Sequence, residues 1–160
     1  MEIFSIIRNE KNEKKIIHYI EENNVNIDVT DEDNYNMLMM AISQELFELS
    51  KYLISNNINL NHQNYKGMSA LHILAFYYNE EVLLAILNRD IDLSLVDDYG
   101  NNALWTTIMN DKGFGTRLKM IELLLKKGID KNQLNNVDKS PLFIARTLNY
   151  PKIVELLEAG

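Results

Sequence analysis

The 160-residue sequence predicts an all-α solenoid of stacked helix–turn–helix units joined by short hairpin loops. Three observations carry this. Leu38, Leu71 and Leu104 recur at steps of 33 and 33, and Leu142 follows after 38. A second signal recurs between them: Asn24-Val-Asn-Ile-Asp28, Asn57-Ile-Asn-Leu-Asn61, Asp90-Ile-Asp-Leu-Ser94 and Gly128-Ile-Asp-Lys-Asn132. Apolar residues keep helical spacing, as in Ile16, Ile17, Ile20 and in Leu118, Ile121, Leu124, Leu125, while alternating strand patterns are short or missing. With only two prolines and six glycines, little interrupts such helices. A fixed period of this size marks units that cannot bury their own apolar face and do so on a neighbour.

Taken in order, the helix pairs are expected at 2–9 with 13–23, 36–43 with 46–55, 69–77 with 80–88, 102–110 with 116–127, and 140–147 with 151–158. Asn36, Ser69, Asn102 and Ser140 stand where an N-cap oxygen accepts from the orphan N–H groups of the first helix of each pair. Pro141 falls at a first helical position, where its missing N–H costs nothing. Leu38, Leu71, Leu104 and Leu142 are expected to form one continuous core column. Asn24, Asn57, Asp90 and Gly128 follow the second helices, where a left-handed residue is expected. The end units should turn polar faces outward, with Lys11, Glu13, Lys14, Glu21 and Glu22 at one end and Lys152, Glu155 and Glu158 at the other. Residues 142–160 read as the C-terminal cap.

The lines Gly67-Met-Ser-Ala-Leu71-His-Ile-Leu-Ala75, Gly100-Asn-Asn-Ala-Leu104-Trp and Asp138-Lys-Ser-Pro-Leu142-Phe-Ile-Ala145, each followed by a Leu-rich helix, resemble the ankyrin repeat. That family's pattern is Gly-x-Thr-Pro-Leu-His-x-Ala-Ala, closing on Gly-Ala-Asp-x-Asn. The resemblance covers the chain as a single domain of about five repeats, 1–30, 31–63, 64–96, 97–134 and 135–160. It departs where Asn34 and Asp138 replace Gly, where Met37, Ala70 and Ala103 replace Pro, and where only His72 keeps the His. His72 is thereby expected to order its turn.

The resemblance implies a binding scaffold whose hairpin tips and first helices line a concave groove that grips other proteins. Carried over slot by slot, the groove positions include Glu32, Asp33, Tyr35, Ser43 and Gln44 around Leu38, and Tyr65, Lys66, Met68, Phe76 and Tyr77 around Leu71. Around Leu104 they include Asp98, Tyr99, Asn101, Met109 and Asn110, and around Leu142 Asn136, Val137, Lys139, Thr147 and Leu148. Tyrosine offers contact area with few rotors to freeze, so Tyr35, Tyr65, Tyr77 and Tyr99, with Phe76 and Met68, read as one connected aromatic strip. The five-residue excess at 111–118 sits at the turn inside the fourth unit. Gly113 and Gly115 there suggest a flexible tip carrying Phe114 towards a partner.

Net charge is -7, and it is unevenly spread. Residues 31–100 hold eleven acids and three bases, whereas 101–160 hold six acids and nine bases. Asp31, Glu32, Asp33, Asp97 and Asp98 cluster at expected hairpin tips, a field that favours a basic protein and repels nucleic acid. The absence of Cys excludes disulfides, thiolate zinc sites and a cysteine nucleophile. His18, His62 and His72 share no metal-ligand spacing, and no nucleophile is linked to a base and an orienting group. The expectation is a cytoplasmic, non-enzymatic module without cofactor or metal, monomeric when free and off the membrane, since no apolar run approaches ~18 residues and no secretory signal is visible. Abundant Asn, Ile and Lys fit an AT-rich genome and a bacterial source. Among bacteria, small acidic ankyrin proteins act as immunity proteins, so the partner is expected to be a basic toxin domain. The alternative is a structural or regulatory adaptor.

Overall fold

The computed structural model describes residues 2–159; Met1 and Gly160, the outer bounds of the expected first and last repeats, lie outside the described residues. Among the described residues ten helices follow in pairs: α1 (Glu2–Asn9) and α2 (Glu13–Glu22), α3 (Met37–Ser43) and α4 (Phe47–Ser55), α5 (Ala70–Phe76) and α6 (Glu80–Leu87), α7 (Ala103–Asp111) and α8 (Leu118–Lys126), α9 (Pro141–Thr147) and α10 (Pro151–Ala159). Odd-numbered helices pack in one row, α1 on α3, α3 on α5, α5 on α7 and α7 on α9, and even-numbered helices in a second. This is the all-α solenoid expected from the period, with only two isolated bridges, Thr30 with Asn36 and Val96 with Asn102, among the described residues.

The caps decide where each first helix begins. Asn36, Asn102 and Ser140 accept from the backbone N–H of Met39, Trp105 and Phe143. The predicted helix starts at 36, 69, 102 and 140 are therefore caps lying one residue outside the helices. Asn36 and Asn102 do more than a serine would. Their amide nitrogens donate within the same unit to Asn59 O and Asp130 O, in the loops that follow the second helices.

The hairpins stack through a ladder of their own. Tyr65 N–H donates to Asp33 O, Asp98 N–H to Lys66 O, and Asn136 N–H to Tyr99 O, at 3.0–3.3 Å. Each hairpin is closed from inside by one side chain, seven residues before its leucine. Asp31 Oδ1 accepts from Asp33 and Tyr35 N–H, Asn64 Oδ1 from Lys66 and Met68, Asp97 Oδ1 from Tyr99 and Asn101, and Asn135 Oδ1 from Val137 and Lys139. Four residues before each leucine the backbone is left-handed, with φ of 60° at Asn34, 70° at Gly67, 78° at Gly100 and 56° at Asp138. Asn and Asp replace glycine there because their short polar side chains tolerate that region best.

Four expectations need correction. Asp90 is not among the left-handed residues. Asn57 and Gly128 let Ile58 and Ile129 N–H reach back to Leu53 and Leu124 carbonyls, whereas the chain leaves α6 without that bond. Leu38, Leu71 and Leu104 are buried, but Leu142 is only half-buried, because α9 packs on α7 on one side and, among the described residues, no helix follows on the other. The C-terminal unit is not a purely polar cap: Val137, Phe143 and Leu148 are exposed alongside Lys152, Glu155 and Glu158. Glu13 is not solely an outward-facing charge. Its carboxylate accepts the Leu49 N–H at 2.7 Å and so caps α4, whose own N-cap, Leu46, has no side-chain acceptor.

The insert is a closed loop rather than a loose tip. Asp111 is fully buried and its two oxygens accept from Gly115 and Arg117 N–H. That holds Arg117 against the preceding unit, where its guanidinium donates to Ala75 O and Phe76 O at the end of α5 and lies 5.7 Å from the Tyr78 ring. A cation over the last carbonyls of a helix is the favourable end of its dipole.

His72 ties one unit to the next. Its Nδ1 accepts the Ser69 N–H at 3.1 Å and lies 2.9 Å from Ser69 Oγ, which fixes the tautomer, and its Nε2–H donates to Asn101 O at 3.0 Å. Burial holds its pKa below the ordinary value, against an opposing pull from the Asn101 carbonyl and Asp97. Because the folded imidazole resists a proton that the unfolded one accepts near pH ~6.5, stability is fully present above that pH and falls as pH drops below it. The slope from this one group is at most about 1.4 kcal/mol per pH unit. In urea unfolding at pH 8, 6.5 and 5.5, His72→Gln is expected to lose most of the slope seen in the parent. An unchanged slope would place it elsewhere.

Candidate functional site

Hairpins and odd-numbered helices together line a groove of ≈ 490 Å³ at the second and third units. The register of α3 and α5 builds it. Met40 and Ile73 stand two residues after Leu38 and Leu71, so they occupy the same slot on successive helices. Ser43 with Gln44, and Phe76 with Tyr77, terminate the two helices on the same side. Tyr35, Lys66 and Met68 come from the hairpins, and Arg8 reaches in from α1.

Of the groove positions expected from sequence, Asp33, Tyr35, Ser43, Gln44, Lys66, Met68, Phe76 and Tyr77 converge on this groove. Tyr35 and Met68 are half-buried against the core, while Phe76 and Tyr77 are 43% and 39% exposed. Glu32, Tyr65, Asp98, Tyr99, Met109 and Phe114 do not line it. Tyr65 and Tyr99 project from the hairpin tips at 72% and 74% exposure, and Phe114 from the insert at 79%. The aromatic residues thus fall into a lined groove and a set of separate, strongly exposed rings.

The electrostatics also divide. Asp31 and Asp97, counted among the acids of the hairpin tips, are committed to structure: each closes its hairpin, Asp97 is buried, and Asp31 Oδ2 lies 2.7 Å from Arg8 Nη2. Glu32, Asp33 and Asp98 remain exposed. Burial raises the Tyr35 phenol above its ordinary pKa against a hydrogen bond from Asn64 that lowers it, and Tyr77 with the Asp31 and Asp33 carboxylates adds a smaller upward push. Glu48 and Glu81 share Lys51, and these contacts hold the Lys51 ammonium above its ordinary pKa.

Arg8 is the groove residue that sequence reasoning passed over. It sits in the first unit, which has no hairpin of its own, and its partner is 23 residues away. Met40 and Ile73 read only as core. The other histidines are accounted for locally: His18 pairs with Glu22 and His62 contacts Asn34 O. Among the described residues no three His, Asp or Glu side chains gather as a metal site would require, and no helix is long and apolar enough to cross a membrane.

Comparison with known proteins agrees with this architecture. A family model described as ankyrin repeats, in three copies, matches residues 4–97, more than half of the chain. Alpha-latrotoxin-Lg1a of Latrodectus geometricus is 28% identical over 92% of this chain and 8% of its own length. The human neurogenic locus notch homolog protein 1 is 30% identical over 68% of this chain and 4% of its own length. A putative ankyrin repeat protein of fowlpox virus, FPV034, is 28% identical over 75% of this chain and 27% of its own length. The chain therefore spans less than a third of each of these relatives. Family model, period and paired helices agree: the chain belongs to the ankyrin-repeat family, whose repeats are protein–protein interaction modules.

Proposed function

We propose that this chain is a non-enzymatic, single-domain binding module of five repeats that grips a basic protein with its hairpin and first-helix face. The partner of choice is a basic toxin domain, which the module neutralises by covering it. The observation that carries the reading is the convergence of Tyr35, Phe76 and Tyr77 on one groove beside the exposed Asp33 carboxylate. Large aromatic side chains at the centre of a polar rim are the usual anchors of an interface. The excess of acids over residues 31–100 supplies attraction at a distance.

A second reading, an adaptor or assembly subunit, is favoured by a different observation: the apolar side chains Val137, Phe143 and Leu148 left exposed on the last unit. The two readings separate by salt and by site. For the first, replacing Tyr65, Phe76 and Tyr77 together by alanine is expected to weaken partner capture by roughly ten- to thirtyfold. The melting midpoint should stay nearly unchanged, and capture by the parent chain should fall as salt rises to physiological strength. Capture that ignores both the triple change and salt, yet is lost on Phe143→Glu, supports the adaptor. A stability loss as large as the binding loss assigns the three aromatics to the core.

A further inference from the structure

The groove at the second and third units has a charge pattern of its own. Arg8 is occupied by Asp31 at 2.7 Å, whereas Asp33 has no ion-pair partner among the described residues. The side chain of Tyr35 lies in the field of both carboxylates, and burial and that field together make a phenolate unfavourable there. Burial, the larger cause, disfavours a charge of either sign; the smaller push from the Asp31 and Asp33 carboxylates is the part that favours a cation at the same point. The floor, Met40, Met68 and Ile73, is apolar, and the walls are the rings of Tyr35, Phe76 and Tyr77.

This combination matches one kind of side chain. Lysine and arginine carry an apolar stem and a charged head, so the stem can cover methionine while the head stays at a polar rim. Aromatic faces attract such a head through their quadrupoles, most strongly where water is partly excluded. An aliphatic side chain would fill the floor but leave Asp33 unpaired, and an acidic one would meet the carboxylates. We infer that this groove anchors a single lysine or arginine side chain of the partner, stem over Met40 and Met68, head between the Tyr35 and Tyr77 rings and the Asp33 carboxylate. The inference rests on the protein-binding reading above and narrows it to one contact. Lys66 rims the same groove and opposes the cation, so its removal strengthens binding rather than weakening it.

The test uses the full chain and blocked extended heptapeptides of serine and alanine with a central arginine, lysine, norleucine or glutamate. Binding is followed by NMR at the Met40 and Met68 methyl groups and the Tyr35 and Tyr77 rings. The arginine peptide is expected to bind about fivefold or more tighter than the norleucine peptide. Asp33→Asn should remove most of that difference, and Lys66→Gln should increase it two- to threefold, on the order expected for one rim charge. The inference is overturned if norleucine binds as well as arginine, if Lys66→Gln weakens the arginine peptide, or if the arginine peptide leaves these resonances unmoved. Any of these, together with a protein partner still lost on the Tyr65, Phe76 and Tyr77 triple change, removes the cation anchor and leaves the binding face standing.

Discussion

Leu71→Ala is expected to lower stability by about 3 kcal/mol and the melting midpoint by roughly 6–12 °C. The side chain is 2% exposed on α5, and α5 packs on both α3 and α7. Truncation removes the transfer energy of the lost methyl groups and leaves a cavity that two neighbouring helices cannot easily close. In a stack where each unit touches only its neighbours, that damage falls on the coupling between the two halves as well as on one unit. Far-UV circular dichroism reports all helices, whereas fluorescence of the single tryptophan, Trp105 on α7, reports the fourth unit. The two urea transitions of the variant are expected to separate. Leu142→Ala, at a half-buried position, is expected to cost only about 1 kcal/mol. Equal costs at the two sites would show that the leucines do not form a coupling column.

Gly100→Ala carries the second large effect, about 2–4 kcal/mol. The backbone there has φ of 78°, so any side chain begins with left-handed strain. The space is also taken. A Cβ on Gly100 would lie 2.5 Å from Asn136 Oδ1 and 2.9 Å from Asn136 N. Asn136 cannot easily retreat, because its N–H is bonded to Tyr99 O and its amide to Asp98 O. The clash therefore pushes the hairpin of the fourth unit off the hairpin of the fifth unit. Asp138, in the equivalent slot of the last hairpin, tolerates a side chain at φ of 56°. Asp138→Ala is expected to cost about 1 kcal/mol or less. Similar losses for Gly100→Ala and Asp138→Ala in urea unfolding would mean that backbone strain alone, and not the packing of hairpin on hairpin, sets the requirement for glycine.

The stack itself was readable because its signals are periodic. Leucines 33 residues apart, and cap residues two before them, need no knowledge of distant contacts, and the helices begin within a residue or two of the expected caps. The groove was half readable for the same reason: slots counted from each leucine find Tyr35, Lys66, Met68, Phe76 and Tyr77. Which acids are free was legible only through a slot that went unused: seven before each leucine stand Asp31, Asn64, Asp97 and Asn135. Asp31 in that slot closes its hairpin and pairs with Arg8, while Asp33 outside it is exposed. The difference follows from the direction each side chain takes within a turn of a few residues. The capping role of Glu13 and the loop-closing role of Asp111 escaped notice likewise, because the N–H groups they satisfy belong to another unit or to a loop with no counterpart in the other repeats.

The clasp that Arg117 makes on the end of α5 has a mechanical consequence. Pulled from its two ends, a chain of neighbour-only units should peel one unit at a time, each yielding at the force that breaks a single interface. Basic side chains clasp three interfaces in this way, Arg89 on Ile54 O, Arg117 on Ala75 O and Phe76 O, and Lys131 on Leu157 O, so each of these interfaces should yield at a force that its clasp raises. In a force–extension trace, Arg117→Ala should lower the rip force at the third–fourth interface and leave the other rips where they were.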